Sequence, residues 1–143
     1  MTDSDPEKRE IIDPVSNETL KVDVFPTKQN PANPCSRTTN LINDFKGLPN
    51  VFIQTNLKTF EYDLILENHD FFKKLIAKYE LGTKDERKKI ATLTGHEFEK
   101  EAFLIVAETK GEAAQYVLDE LVLGEEIKIP KYITNILDFL SED

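Results

Sequence analysis

The sequence predicts an α/β chain that is mainly helical, with a few short strands. Three observations carry that expectation. The stretch from Met1 to about Lys46 is polar, broken by prolines and poor in helix signals. The second half repeats apolar residues at helical spacing. Three T-x-x-E pairs, Thr83 with Glu86, Thr94 with Glu97 and Thr109 with Glu112, head these stretches and fit the capping box.

Taken in order, Glu10-Ile11-Ile12 and Leu20 to Phe25 are expected as short strands around the turn formers Asp13-Pro14 and Ser16-Asn17. Pro26 to Pro34 holds three prolines and reads as a surface connection. Ser36 to Phe45 is expected as a short helix with Leu41, Ile42 and Phe45 on one side, stopped by Gly47 and Pro49. Val51-Phe52-Ile53 follows as a short buried strand. Helices are expected near 58–66, 70–80, 84–92, 96–108, 110–123 and 130–140. Gly124 fits a helix stop and Pro130 a first helical turn. In the last helix Tyr132, Ile133, Ile136, Leu137 and Leu140 form an apolar stripe assigned to the core.

At 143 residues the chain has the size of a single domain. Its net charge of −9, from 27 acidic and 18 basic residues, argues against a non-specific coat for DNA or membranes. It leaves open an acidic metal centre that reaches nucleic acid through its cations. Cys35 is the single cysteine, which excludes an intramolecular disulfide and a cysteine-rich zinc cluster. No run approaches the roughly 18 apolar residues of a membrane span. The acidic N-terminus lacks the apolar core of a secretory leader, so a cytoplasmic location without a membrane partner is expected. The five glycines form neither a P-loop nor a G-x-G-x-x-G, so no nucleotide site is expected. His69, His96 and Cys35 show no zinc spacing and no nucleophile pattern, and are assigned structural or surface roles. Lys84, Arg87, Lys88 and Lys89 read as the solvated face of a helix.

Several residues do not fit a plain helical domain. Asp3 and Asp5 form a D-x-D pair followed by Pro6. In an extended strand residues two apart share a face, and hard oxygen donors of this kind suit Mg²⁺ or Mn²⁺. The same residues would serve equally as a solvated acidic tail. Glu61 falls inside the apolar arc of Leu57, Phe60, Leu64 and Ile65. A carboxylate facing a core must be paired, protonated or metal-bound, unless it snorkels outward from the helix start. Asp63 falls on the polar face, where solvation is its default role. Lys110 falls in a first helical turn, where the macrodipole disfavours a cation. Beside Gly111 and unbonded N–H groups it suits a phosphate oxygen, or it is a plain surface lysine, as Lys84 is at its own helix start.

In this order the pieces resemble the C-terminal part of an OLD-family (overcoming lysogenization defect) ATP-dependent endonuclease. Thr2-Asp3-Ser4-Asp5-Pro6 resembles the D-x-D that ends a central Toprim strand. Val51-Phe52-Ile53 with Lys58-Thr59-Phe60-Glu61-Tyr62-Asp63-Leu64 is similar to the family's strand and T-[LF]-E-Y-[DE]-L signature. Lys110-Gly111-Glu112-Ala113-Ala114 is similar to its K-G-x-x-A helix start, and Pro130-Lys131-Tyr132-Ile133 to its P-x-Y-I terminal helix. The likeness spans the chain apart from residues 7–34 and 82–105.

The resemblance implies a two-metal DNA nuclease of the phage-defence type, in which carboxylates hold Mg²⁺ or Mn²⁺ ions about 3.5–4 Å apart. Asp3, Asp5 and Glu61 would be metal ligands and Lys110 the transition-state lysine. The implied fold is a partial Toprim-like nuclease segment over 1–66, with a Pro-rich insert, and a C-terminal helical segment over 67–143. Toprim sites also use an earlier glutamate, and the family carries an N-terminal ATPase domain. The resemblance therefore implies that this chain acts with an ATPase–Toprim segment in cis or in trans, and is weak or inactive alone. A homo-oligomer is compatible with it. Two rivals from other classes stand beside this reading: a non-catalytic interaction or regulatory protein derived from a truncated nuclease, and an acidic DNA mimic.

Overall fold

The computed structural model describes residues 3–49 and 51–141. The chain divides into two compact units, Met1–Thr59 with Tyr132–Asp143, and Phe60–Lys131. Among the described residues there are seven helices and one two-stranded sheet, so the chain is mainly helical.

In the first unit, β1 (Arg9–Ile12) and β2 (Thr19–Val22) form an antiparallel hairpin in which Arg9 faces Val22 and Ile12 faces Thr19. Its turn is built by Asp13. The Asp13 carboxylate accepts from Val15 N at 2.9 Å and Ser16 Oγ at 2.9 Å, and Asn17 takes the left-handed conformation at φ +56°. These bonds hold the Asp13 carboxyl below the usual carboxylate range. The second strand stops at Val22, short of the expected Phe25.

Helix α1 (Ser36–Phe45) begins at the Cys35 cap and is followed by Gly47 at φ +86°. Residues 51–53 form no strand. A strand is stable only with a neighbour to pair with, and the single ladder among the described residues is the hairpin. Helix α7 (Lys131–Ser141) buries only Tyr132 of its expected stripe, while Leu137 and Leu140 are exposed. Its Phe139 stacks on Phe52 with ring centroids 4.7 Å apart, and Asn135 Nδ2 donates to Gln54 Oε1 at 3.1 Å.

The second unit is a helical cluster of α2 (Phe60–Glu67), α3 (His69–Lys78), α4 (Lys84–Thr92), α5 (Gly95–Glu108) and α6 (Lys110–Val122). Helix α5 packs against each of the other four. The core between them holds Tyr62, Ile65, Phe72, Leu75, Ile76 and Phe98, each at most 2 % exposed. Helix α3 ends in a Schellman turn: Glu80 adopts φ +52° and Leu81 N donates to Ile76 O at 3.1 Å. Leu81 and Ile76 are both buried, which is the apolar contact that accompanies such turns. Gly124, at φ +96°, ends α6 in the same way, as the sequence predicts.

Of the three expected capping boxes, one forms. Thr83 Oγ1 accepts from Glu86 N, and the Glu86 carboxylate accepts from Thr83 N at 2.7 Å. Thr94 makes no side-chain cap. Thr109 is shared between the end of α5 and the start of α6, and its hydroxyl donates back to Ile105 O at 2.9 Å. No helix of the described residues is long and apolar enough to cross a membrane.

Candidate functional site

Asp3 and Asp5 belong to the first unit, and their setting differs from both a strand and a loose tail. Asp5 adopts φ +37°, so strand alternation is not what positions the pair. A clamp of five hydrogen bonds does so instead. Ser4 N donates to Asn56 Oδ1 at 2.7 Å, and Asn56 Nδ2 donates to the Asp3 carboxylate. Thr38 Oγ1 donates to Asp3 O at 2.7 Å, and Cys35 N donates to Ser4 O at 2.9 Å. Asp5 N donates to Lys58 O at 2.9 Å. Ser4 is only 2 % exposed and Pro6 is buried, whereas Asp3 and Asp5 remain at the surface.

The start of α1 and the 56–58 segment thus hold a short acidic stretch that presents two carboxylates. Cys35 stands beside it. Hydrogen bonding to Thr38 lowers the thiol below its ordinary pKa, and the Asp5 charge opposes that shift.

Glu61 belongs to the second unit, as the second residue of α2. It is half-buried and lines a groove of about 290 Å³ whose other walls are apolar, among them Phe60, Leu64, Val117 and Leu121. The apolar setting expected for Glu61 is therefore present. Asp63 departs from expectation. It is 8 % exposed, because α2 is buried on successive residues from Tyr62 to Ile65 and has no broad solvated face. Beside it the Tyr62 phenol is pushed far above its ordinary pKa, first by burial and then by the charges of Glu99 and Asp63.

Lys110 is the first residue of α6, so its place in a first turn matches expectation even though the Thr109 box does not form. Its side chain lies outside the described residues. Among the described residues no group of three or more His, Cys, Asp or Glu side chains is placed to hold a metal ion.

Two polar clusters of the second unit were not expected. The only two histidines of the chain converge on one carboxylate: His69 Nε2 lies 3.0 Å from Glu99 Oε1, and His96 Nδ1 lies 3.2 Å from Glu99 Oε2. Glu99 is 8 % exposed. The His96-x-x-Glu99 spacing on one helix face was the only sequence signal for this cluster. In the other, the Glu120 carboxylate accepts from Lys78 Nζ at 2.5 Å and Tyr79 Oη at 2.6 Å, while Tyr79 stacks on Tyr116 at 4.0 Å. Comparison of the chain with models of known families, with curated proteins and with solved structures gives no match.

Proposed function

We propose that this chain is part of a divalent-metal-dependent DNA endonuclease of the OLD type, using Mg²⁺ or Mn²⁺ to hydrolyse phosphodiester bonds. Asp3, Asp5 and Glu61 are the metal ligands of this reading and Lys110 its transition-state cation. The observation that supports it best is the clamp around Ser4. Metal ligation needs carboxylates held near their working positions by supporting hydrogen bonds, and Asp3 and Asp5 have that support where a solvated tail would have none. The T-F-E-Y-D-L, K-G-E-A-A and P-K-Y-I segments add that each runs into a helix start, at α2, α6 and α7. A bound metal would polarise a phosphoryl oxygen and lower the pKa of a bound water. Lys110 would offset the charge that builds on the non-bridging oxygens.

The first test is Mn²⁺ titration of the purified chain, read as a rise in Tm and repeated with Asp5→Asn. The second joins the chain to an ATPase–Toprim segment and measures Mn²⁺-dependent nicking of supercoiled plasmid. Nicking is expected to vanish with Asp5→Ala or Glu61→Gln. It is expected to fall by orders of magnitude with Lys110→Ala while metal binding persists. A Tm indifferent to millimolar Mn²⁺, together with nicking untouched by these substitutions, would refute the proposal. The second reading, a non-catalytic interaction protein, is favoured by a different observation: Leu118, Leu121 and Val122 of α6, and Leu123 after them, are exposed apolar residues.

A further inference from the structure

Helices α3 and α4 form an antiparallel pair tied at both ends. In the turn between them, Arg87 Nη1 donates to Glu80 O at 2.8 Å and to Gly82 O. At the other end, Lys73 Nζ donates to Leu93 O at 2.6 Å. Between the ties two small residues, Ala77 and Ala91, line an open groove of about 320 Å³. Ile76 and Ile90, 1 % and 2 % exposed, form its floor. The other residues that line it are Lys73, Lys74 and Arg87.

Among the described residues no carboxylate neutralises these three cations. Residues 69–92 hold seven lysines and arginines and four acids, in a chain whose net charge is −9. None of the four acids lines the groove. Glu86 is taken by the Thr83 cap, and Asp85 lies 3.8 Å from Lys88. Asp70 and Glu80 are exposed, and the exposed Lys74 forms no ion pair with either. Acids of other helices reach only the flanking lysines, Glu120 taking Lys78 and Glu101 taking Lys89. Lys73 and Arg87 bond to backbone carbonyls, which occupies hydrogens without cancelling charge.

An apolar floor set among cations favours a ligand that is apolar and acidic together. A phosphodiester backbone would meet the cations and leave the floor unused. A purely apolar surface would cover the cations without pairing them, at a desolvation cost. An open groove between two helices is also the shape that receives side chains of a third. We propose that the α3–α4 groove docks an acidic amphipathic helix of a partner protein. Large apolar side chains of that helix enter between Ala77 and Ala91, and its aspartates or glutamates face Lys73, Lys74 and Arg87. The proposal stands whether or not the chain takes part in DNA hydrolysis.

The test uses the full chain and a rhodamine-labelled helical peptide with two leucines one turn apart, flanked by glutamates. A twin peptide carries glutamines in their place. Fluorescence anisotropy is expected to show the glutamate peptide binding at least tenfold more tightly than its twin. Lys74→Glu should weaken it at least fivefold, and Ala91→Glu, which fills the groove with an acid, at least tenfold. Both positions are exposed, and far-UV circular dichroism checks that each variant is folded. Lys46→Glu makes the same charge change on exposed surface of the other unit and should leave binding unchanged.

Equal binding of the two peptides would overturn the proposal, as would binding indifferent to Ala91→Glu. A loss with Lys46→Glu as large as that with Lys74→Glu would reduce the effect to general charge attraction and overturn it too. A labelled DNA oligonucleotide that binds more tightly than the glutamate peptide, and is lost with Lys74→Glu, would assign the face to nucleic acid instead. Concentration-dependent association of the chain abolished by Ala91→Glu would assign it to a second copy, and capture by phosphatidylglycerol vesicles abolished by Lys74→Glu to a lipid surface.

Discussion

Replacing Glu99 should cost less than removing the two histidines that bond to it. Glu99 is a carboxylate with a side chain 11 % exposed, bonded at 3.0 and 3.2 Å to His69 and His96, whose side chains are 33 % and 40 % exposed. Glu99→Leu deletes both hydrogen bonds, but each imidazole can turn to water. A net hydrogen bond of this kind is worth about 1 kcal/mol, so the gross loss is about 2 kcal/mol. The substitution also removes a nearly buried polar group and puts apolar bulk on the buried face of α5, which offsets about half of that loss.

The paired change His69→Leu and His96→Leu keeps apolar bulk and strips the carboxylate of both partners. Leaving a buried acceptor without its partners costs about 1–3 kcal/mol, and the loss of two donors to one nearly buried carboxylate places this case at about 3 kcal/mol. The expected gap is therefore about 2 kcal/mol in favour of Glu99→Leu. With no tryptophan in the chain, urea unfolding followed by far-UV circular dichroism is the suitable assay. The double histidine variant should show much the lower midpoint at unchanged slope. Glu99→Leu unfolding at a lower urea concentration than the double variant would refute the reasoning, because the carboxylate would then be the anchor of the cluster and not its liability.

The same measurement tests the caps and the turns. Thr83→Ala should lose about 1 kcal/mol with its capping box, whereas Thr94→Ala, which loses no cap bond, should stay within about 0.5 kcal/mol. Gly82→Ala should destabilise by about 1–2 kcal/mol, because φ is +70° and the new Cβ would lie 3.0 Å from Glu86 Oε2 and 3.2 Å from the Ile105 side chain. Glu120 is held below the ordinary carboxylate range by hydrogen bonds from Lys78 and then Tyr79. A lowered folded-state pKa means that its stabilisation is fully present above about pH 4.3, the ordinary value for glutamate, and is lost as pH falls further. Glu120→Gln should therefore flatten the acid limb of a stability–pH curve, and an unchanged limb would count against the pairing.

Much of the helical skeleton was legible because local chemistry determines it. The span of α1 matches its apolar spacing and the stop at Gly47, and α4 matches its capping box and starts where Thr83 predicts. The pattern misled where a second partner decided the outcome. T-x-x-E permits a box but does not make one: at Thr109 the hydroxyl donates to the Ile105 carbonyl of the preceding helix. Residues 51–53 have strand composition, yet strand formation depends on a paired edge that no local signal reveals. Periodicity places Asp63 in solvent because it assumes one solvated face, and α2 is buried from several sides. The histidine cluster joins residues 27 and 30 positions apart, a distance that only tertiary packing closes. For the candidate site, the acidic pair was legible as residue types, while its support from Thr38, Cys35 and Asn56 was not.

That support gives the metal proposal its most specific consequence. Asn56 is 5 % exposed and serves the acidic pair twice, accepting from Ser4 N and donating to the Asp3 carboxylate. Asn56→Leu would leave the buried Ser4 N–H without its acceptor, at a cost of about 1–3 kcal/mol. It would also release Asp3 from the orientation its side-chain bond imposes. Outer-shell partners of metal-binding carboxylates are worth about 10–100-fold in metal affinity, so Mn²⁺ binding should weaken by that factor in Asn56→Leu. Asn56→Asp separates the two roles, since it keeps an acceptor for Ser4 N but sets a second negative charge against Asp3. It should destabilise the metal-free chain and recover much of that loss when Mn²⁺ is added. Calorimetric titration of Mn²⁺ into the wild type and both variants checks the pattern, with circular dichroism confirming that each is folded. Equal Mn²⁺ affinity in all three would mean that the clamp around Ser4 serves the fold alone and that Asp3 is not a ligand.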